Sequence, residues 1–262
     1  MKFNLLILLM LLFSFSSFSQ TININKTDGT TESFSLSSIE SITFGNNGTI
    51  VDGLISYYPF DGNADDVVGG NNGTPMNGAM LTNDRKGNPE SAYLFDGSDD
   101  FIKLSKHLND FTIASISVWV KYTKTSNQVG NIITDANTES GNDFRLDVRN
   151  TGIGVVANKG NALLNMPNGT AVTELNLKDA WHHIVWTMDS TESKIYVDGN
   201  LKSTIEKNGS NVGYHSDYAV IGTFYKNTDS FQFKNWFQGS IDELRIYNKV
   251  LTQAEVTSLF NK

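Results

Sequence analysis

From Gly53 onward the chain is a succession of short runs in which apolar and polar side chains alternate, each run closed by Gly, Asn or Asp. A β-strand sends successive side chains to opposite faces, so alternation at period 2 means one face for a core and one turned away from it. Ile116, Val118, Val120 and Tyr122 fall on one face, with Trp119 and Lys121 on the other. Phe144, Leu146 and Val148 alternate with Arg145, Asp147 and Arg149, and Ile184, Trp186 and Met188 run through the segment after Trp181. Residues 194–197, the turn Asp198-Gly199-Asn200 and residues 201–205 spell a hairpin, and residues 239–247 (GSIDELRIY) form the last strong strand. Many short strands with turn residues between them predict an antiparallel sandwich or barrel. One helix is expected, at the end: Thr252 and Glu255 have capping-box spacing, and Val256, Leu259 and Phe260 follow at helical intervals.

Before this domain the chain reads as three shorter pieces. Lys2, the unbroken apolar run at residues 5–13 (LLILLMLLF) and the small-x-small sequence Ser17-Phe18-Ser19 have the form of a signal peptide over residues 1–19, cleaved before Gln20. The run is too short to span a hydrocarbon core, which takes roughly 20 residues, so no membrane insertion is expected. Residues 20–45 read as a small β-hairpin module, with alternation at residues 21–25, turn chemistry at Asp28-Gly29 and alternation again from Ser33 to Leu36. Ile39, Ile42 and Phe44 add a short apolar face, too little for an independent core. Gly45-Asn46-Asn47-Gly48 opens a linker, placed at residues 46–52, and residues 53–262 are the main domain.

Charge and cysteine content narrow the function. With 20 basic and 28 acidic residues the net charge is −8, which disfavours nucleic acid as a partner. The chain has no cysteine, which excludes disulfides, thiol catalysis and a lipoprotein anchor. A secreted, extracellular chain without disulfides must be held by its core or by a metal.

Several separated stretches resemble the laminin-G-like domains of secreted bacterial proteins, within the concanavalin A-like lectin/glucanase superfamily. They are the opening strand and loop Tyr57-Tyr58-Pro59-Phe60-Asp61-Gly62-Asn63-Ala64-Asp65-Asp66, then Phe95-Asp96-Gly97 with Phe101-Ile102, then residues 116–121 (ISVWVK). Trp181-His182-His183 with residues 194–199 (KIYVDG) and residues 237–248 (FQGSIDELRIYN) complete the set. The resemblance implies an all-β fold, a two-sheet antiparallel jelly-roll sandwich, with the short C-terminal helix and the N-terminal hairpin module as appendages.

The first loop packs four side-chain oxygen donors into six residues, and calcium takes 6–8 oxygen ligands. One loop cannot surround an ion. The resemblance supplies a distant ligand on the last strand, which gives a structural calcium held by Asp61, Asn63, Asp66 and Asp242; a plain Asx-turn loop is the alternative. His182 and His183 are neighbours on a strand and point to opposite faces, and His107 and His215 stand at no ligand spacing from them, so the histidines read as structural. The related glucanases carry their two carboxylates on one strand, and this chain has no such run; neither does it have a Gly-x-Ser-x-Gly nucleophile motif. Phe224, Tyr225, Phe231, Phe233, Trp236 and Phe237 crowd an otherwise polar stretch, and Trp236, Tyr225 and Phe224 are the candidates for stacking on sugar rings. The reading is a secreted, calcium-stabilised, non-catalytic module that binds a glycan or surface glycoconjugate. A structural or adhesive protein-binding domain at the cell surface is the alternative, and a glycoside hydrolase with an atypical site the second.

Overall fold

The computed structural model describes residues 21–25, 30–35, 50–108, 112–125, 128–137, 142–158, 175–206, 218–226 and 232–262. The signal-peptide segment, the Asp28-Gly29 turn, Leu36, Ile39, Ile42, Phe44, the Gly45–Gly48 stretch, His215 and Phe231 lie outside these residues. The chain forms two compact units, residues 1–46 and 47–262.

In the first unit β1 (Thr21–Asn25) pairs antiparallel with β2 (Thr31–Ser35), from Thr21 opposite Ser35 to Asn25 opposite Thr31. The pairing closes the hairpin that the alternation predicts, and Ser33 Oγ donates to Asn23 Oδ1 across it at 2.6 Å.

The second unit is a two-sheet antiparallel sandwich. One sheet has six strands, in the order β11 (Gly152–Asn158), β10 (Asn142–Arg149), β9 (Gly130–Asn137), β15 (Val220–Ile221), β7 (Phe101–Leu104) and β4 (Gly73–Met76). The other has eight. Seven run in the order β14 (Asn200–Glu206), β13 (Glu192–Val197), β12 (Trp181–Met188), β8 (Ala114–Tyr122), β18 (Gln238–Tyr247), β6 (Ala92–Asp96) and β5 (Met80–Thr82), and β3 (Leu54–Tyr58) also pairs with β18. The ten-residue β18 is long enough to take β6 along its first half and β3 along its second, so the first and last strands of the domain lie side by side. β16 (Phe224–Lys226) and β17 (Gln232–Lys234) make a separate hairpin. The alternation does not reveal β4, β5 and β15–β17, which have two to four residues each. Pro75 sits in β4, an edge strand, where a missing N–H costs no ladder bond to a further neighbour.

The two inner faces meet as the alternation requires. Ile116, Val118, Val120 and Tyr122 of β8 and Ile184, Trp186 and Met188 of β12 pack against Phe144, Leu146 and Val148 of β10. Phe144 stacks on Trp186 across the sandwich, 4.8 Å between ring centroids. Each such side chain, fully buried, contributes about 1.5–3 kcal/mol. On the far side of the eight-stranded sheet lies α1 (Gln253–Phe260), capped by Thr252 and Glu255 as the sequence predicts; Val256 and Leu259 pack on Val185, Tyr196 and Tyr247.

Two backbone features shape β18. Gly239 has φ +134°, and a Cβ there would lie 1.9 Å from the Lys121 carbonyl oxygen of β8, so only glycine lets the strands close. Beyond it the register shifts between Asp242 and Arg245, with Glu243 at φ 55°. This bulge turns both Asp242 and Arg245 to the outer face, opposite Trp119 and Ser117, while Leu244 stays in the core.

Candidate functional site

The four residues expected to hold calcium do not form an open oxygen shell. Asp66 is buried and its carboxylate is spent on main-chain amides: Oδ1 accepts from Tyr57 N (2.9 Å), Val68 N (3.1 Å) and Gly69 N (2.9 Å), and Oδ2 from Asn71 N (3.2 Å). Asn63 Oδ1 accepts from Asp65 N at 2.8 Å, an Asx turn, and Asp61 is exposed. Asp242, on the outer face of β18, sits 3.3 Å from Arg85 Nη1, a cation where a metal would have to stand. Strand alternation separates the set further. Asp66 lies near enough to Tyr58 to raise its phenol, whereas Asp61 and Glu243 act on Tyr57, which points the other way. The residues therefore do not fit the calcium shell the resemblance implies; Asp66 is the buried acceptor that closes an otherwise exposed polar turn.

Two of the three aromatic candidates are also displaced. Phe224 and Tyr225 are 3% and 1% exposed, so neither offers a ring to a sugar. The β16–β17 hairpin folds down onto the outer face of the six-stranded sheet, where Tyr225 packs with Phe101 and Val220 and stacks on Tyr218. Phe224 is instead the base for two cations, with Arg145 Cζ 5.4 Å and Lys234 Nζ 5.0 Å from its ring centroid. Trp236 remains partly exposed, 6.3 Å from Phe101 between centroids. His182 and His183 point apart, as expected: His182 Nδ1 pairs with Asp198 Oδ2 and His183 Nε2 with Ser117 Oγ, each at 2.8 Å.

What the hairpin borders is a polar floor. The bulge between Leu146 and Asp147 sets Asp147 opposite Asn131 of β9, while on the other side Asp147 faces Gly154 of β11. A Cβ on Gly154 would come within 2.2 Å of Asp147 Oδ1, so the glycine makes room for the carboxylate. Asn131 is fully buried and the Asp147 side chain is 4% exposed, yet Asp147 Oδ1 and Asn131 Oδ1 have no hydrogen-bond partner. Asn131 Nδ2 donates to Thr134 Oγ1 at 3.0 Å, which fixes the amide so that its oxygen is the free end. Burial pushes the Asp147 carboxyl above the ordinary carboxylate range, against the pull of Arg145 and Arg149. Arg145 Nε stands 3.8 Å from Asp147 Oδ2, with its side chain 29% exposed, and forms the wall of the floor. A buried acceptor left unpaired costs about 1–3 kcal/mol, which this floor carries at Asp147 and Asn131.

A second concavity lies at the edge of the eight-stranded sheet, a groove of about 460 Å³ lined by Met80 and Leu94 with Asn77, Gln238, Asp96, Asp99 and Asp100 among others. The carboxylates of Asp96, Asp99 and Asp100 converge within 4.8 Å. Asp96 Oδ1 accepts from Ser98 N and Asp100 Oδ2 from Asp96 N, which are the bonds of a tight turn.

Residues 96–257 match the family described as the concanavalin A-like lectin/glucanases superfamily, in its laminin-G-like branch, and the chain belongs to that family. Solved structures share the fold. Domain 4 of AbnA, a GH43 extracellular arabinanase from Geobacillus stearothermophilus, in complex with arabinotriose, is 21% identical, with a TM-score of 0.56 over 79% of this chain and 97% of that one. The botulinum neurotoxin serotype D binding domain is 19% identical, with a TM-score of 0.57 over 80% of this chain. The serotype D ligand-binding domain in complex with N-acetylneuraminic acid is 18% identical, with a TM-score of 0.57 over 80% of this chain. The chain spans about half the length of the two neurotoxin domains, 52% and 51%. No curated protein matches the chain. Among the described residues no helix is long and apolar enough to cross a membrane.

Proposed function

We propose that the domain is a non-catalytic glycan-binding module of an extracellular protein, and that it binds through the outer face of the six-stranded sheet. The observation that carries this is Trp236, a partly exposed ring beside Phe101 on that face. Sugars are recognised by a few converging polar groups beside an apolar or aromatic surface, and Arg145, Trp236 and the floor give that combination. Two structural neighbours of this fold carry a sugar, one neutral and one acidic. Among the converging carboxylates of the Asp96–Asp100 turn, Asp96 and Asp100 each accept a main-chain amide of the turn, and we read the group as structural rather than as a hydrolytic pair.

The test is binding of purified protein to a glycan array, followed by calorimetry on the hits. Trp236→Ala is expected to weaken binding about fivefold, the equivalent of ~1 kcal/mol for one stacked ring, with the melting temperature retained. An array on which no glycan binds, or reducing-sugar release from a bound polysaccharide, would overturn the reading. The groove beside Met80, which is 57% exposed, favours a protein ligand as the second reading. In that case Met80→Asp would abolish capture of a protein partner while Trp236→Ala would not.

A further inference from the structure

The open groove at the edge of the eight-stranded sheet has a chemistry of its own, whether or not the Trp236 face takes a sugar. One wall is aliphatic: Met80 of β5 and Leu94 of β6 are register partners, and both are exposed. The other wall is acidic. Asp100 is its buried member, 5% exposed; its Oδ2 accepts the Asp96 amide, and its Oδ1 is left on the groove side beside Gly78, where a Cβ would stand 2.7 Å from it. Burial raises the Asp100 carboxyl above the ordinary carboxylate range, and its charged neighbours Asp96 and Asp99 raise it further. Among the described residues no cation pairs with any of these three carboxylates. Lys121 stands on the same sheet face, across Ser240 from Leu94, and Lys124 Nζ donates to the Trp236 carbonyl; neither lines the groove, and three carboxylates outweigh the one free lysine.

An occupant that complements both walls brings an aliphatic surface and a positive charge. A protein segment does so with two side chains. Sugar hydroxyls would find no partner on Met80 and Leu94 and would lose their water there. Among the described residues β5 pairs only with β6, so an extended chain can lie along its open side, with every second side chain turned to the groove. We infer that the groove docks an extended segment of a partner protein, with an aliphatic side chain on Met80 and Leu94 and a lysine or arginine at Asp99 and Asp100. This gives the protein ligand of the second reading its chemistry.

The test is titration of the intact protein, followed by amide NMR shifts, with four probes: a short acetylated and amidated peptide of alternating leucine and lysine, its leucine–glutamate and serine–lysine counterparts, and a glucosamine trimer. The leucine–lysine peptide should move the amides of residues 77–80 and 94–100 to saturation, and bind more weakly at high salt. The leucine–glutamate peptide should not bind, and the serine–lysine peptide should bind at least about tenfold more weakly. Asp99→Asn and Met80→Ala should each weaken the leucine–lysine peptide about fivefold, and Lys121→Gln should tighten it about twofold. Asp99 joins the turn only through its main chain, so Asp99→Asn is expected to fold as the wild type does, which its melting temperature checks. Leucine–glutamate binding as tight as leucine–lysine binding, or binding indifferent to salt and to Asp99→Asn, would overturn the charge preference. Shifts confined to other residues would overturn the groove as the site. A glucosamine trimer that binds there more tightly than the peptide would replace the protein segment by an amino sugar, and no shift with any probe would end the proposal.

Discussion

Replacing Asp66 by alanine is expected to lower the melting temperature by about 10 °C, and by the same amount with calcium or with EDTA present. The carboxylate takes four main-chain N–H groups, from Tyr57, Val68, Gly69 and Asn71. Asn71 then carries the connection across the sandwich: its Oδ1 accepts from Lys106 N and Ser105 Oγ, its Nδ2 donates to Lys106 O, and its carbonyl accepts from Tyr58 OH at 2.8 Å. So β3 of one sheet is tied through Asp66 and Asn71 to the segment after β7 of the other, with no disulfide. Alanine leaves the four donors of the turn without an acceptor. Hydrogen bonds to a charged group are worth about 1.5–3 kcal/mol each, and since they share one carboxylate they will not add fully, so roughly 4 kcal/mol is lost. At about 2–4 °C per kcal/mol for a domain of this size, the shift is on the order of 10 °C. Asp66→Asn should fall between, since an amide keeps one acceptor oxygen. Differential scanning calorimetry decides the matter. If the wild type loses stability in EDTA and Asp66→Ala no longer responds, the loop holds a cation after all.

The contrast between this loop and the strands shows where the sequence is informative. Alternation at Ile116–Tyr122 and Phe144–Val148 assigns inner and outer faces correctly, because a side chain on the wrong face of a sandwich forfeits its burial. The Thr252–Glu255 box is local and equally legible. An acidic loop carries no such constraint. Asp and Asn at residues 61–66 serve a metal or a turn equally well, and only the fold shows that Asp66 points at amides. Phe224 and Tyr225 look exposed in a polar stretch because the hairpin that buries them depends on a strand pairing of three residues on each side, below the length at which a pattern shows. The floor is half legible. The alternation places Arg145, Asp147 and Arg149 on the outer face, but Asn131 joins Asp147 only through the bulge after Leu146, and no periodicity marks a bulge. The bulge in β18 acts in the same way, since it alone brings Asp242 and Arg245 to one face.

That second bulge leads to the other large expected effect, a loss of stability with rising pH that Asp242→Asn removes. Asp242 is 1% exposed, and its Oδ1 has no partner. Burial pushes its carboxyl up to about 8, assisted by Glu243 and Asp84 and opposed by Arg85. In the unfolded chain the group titrates near 3.9. Between these values the folded protein holds one proton more than the unfolded one. A proton held by the folded state favours it at low pH, so this contribution is full below about pH 4 and is lost as pH rises towards 8. The groups packed around Asp242 do not blur the window. His183, held near 3 mainly by burial, stays neutral throughout it, and Arg85 stays charged. Asp147 and Asp100 are also raised and add slopes of their own, so the quantity to measure is the difference between wild type and variant. Each pH unit in the window is worth at most ~1.4 kcal/mol, and the ionised pair with Arg85 recovers part of it, which leaves roughly 2 kcal/mol between pH ~5.5 and ~8. Asp242→Asn should therefore melt about 5 °C above the wild type near pH 8, with the gap closing near pH 5. A variant that is equally destabilised at both pH values would mean that Asp242 is ionised in the folded protein and that its pair with Arg85, rather than its burial, sets its charge.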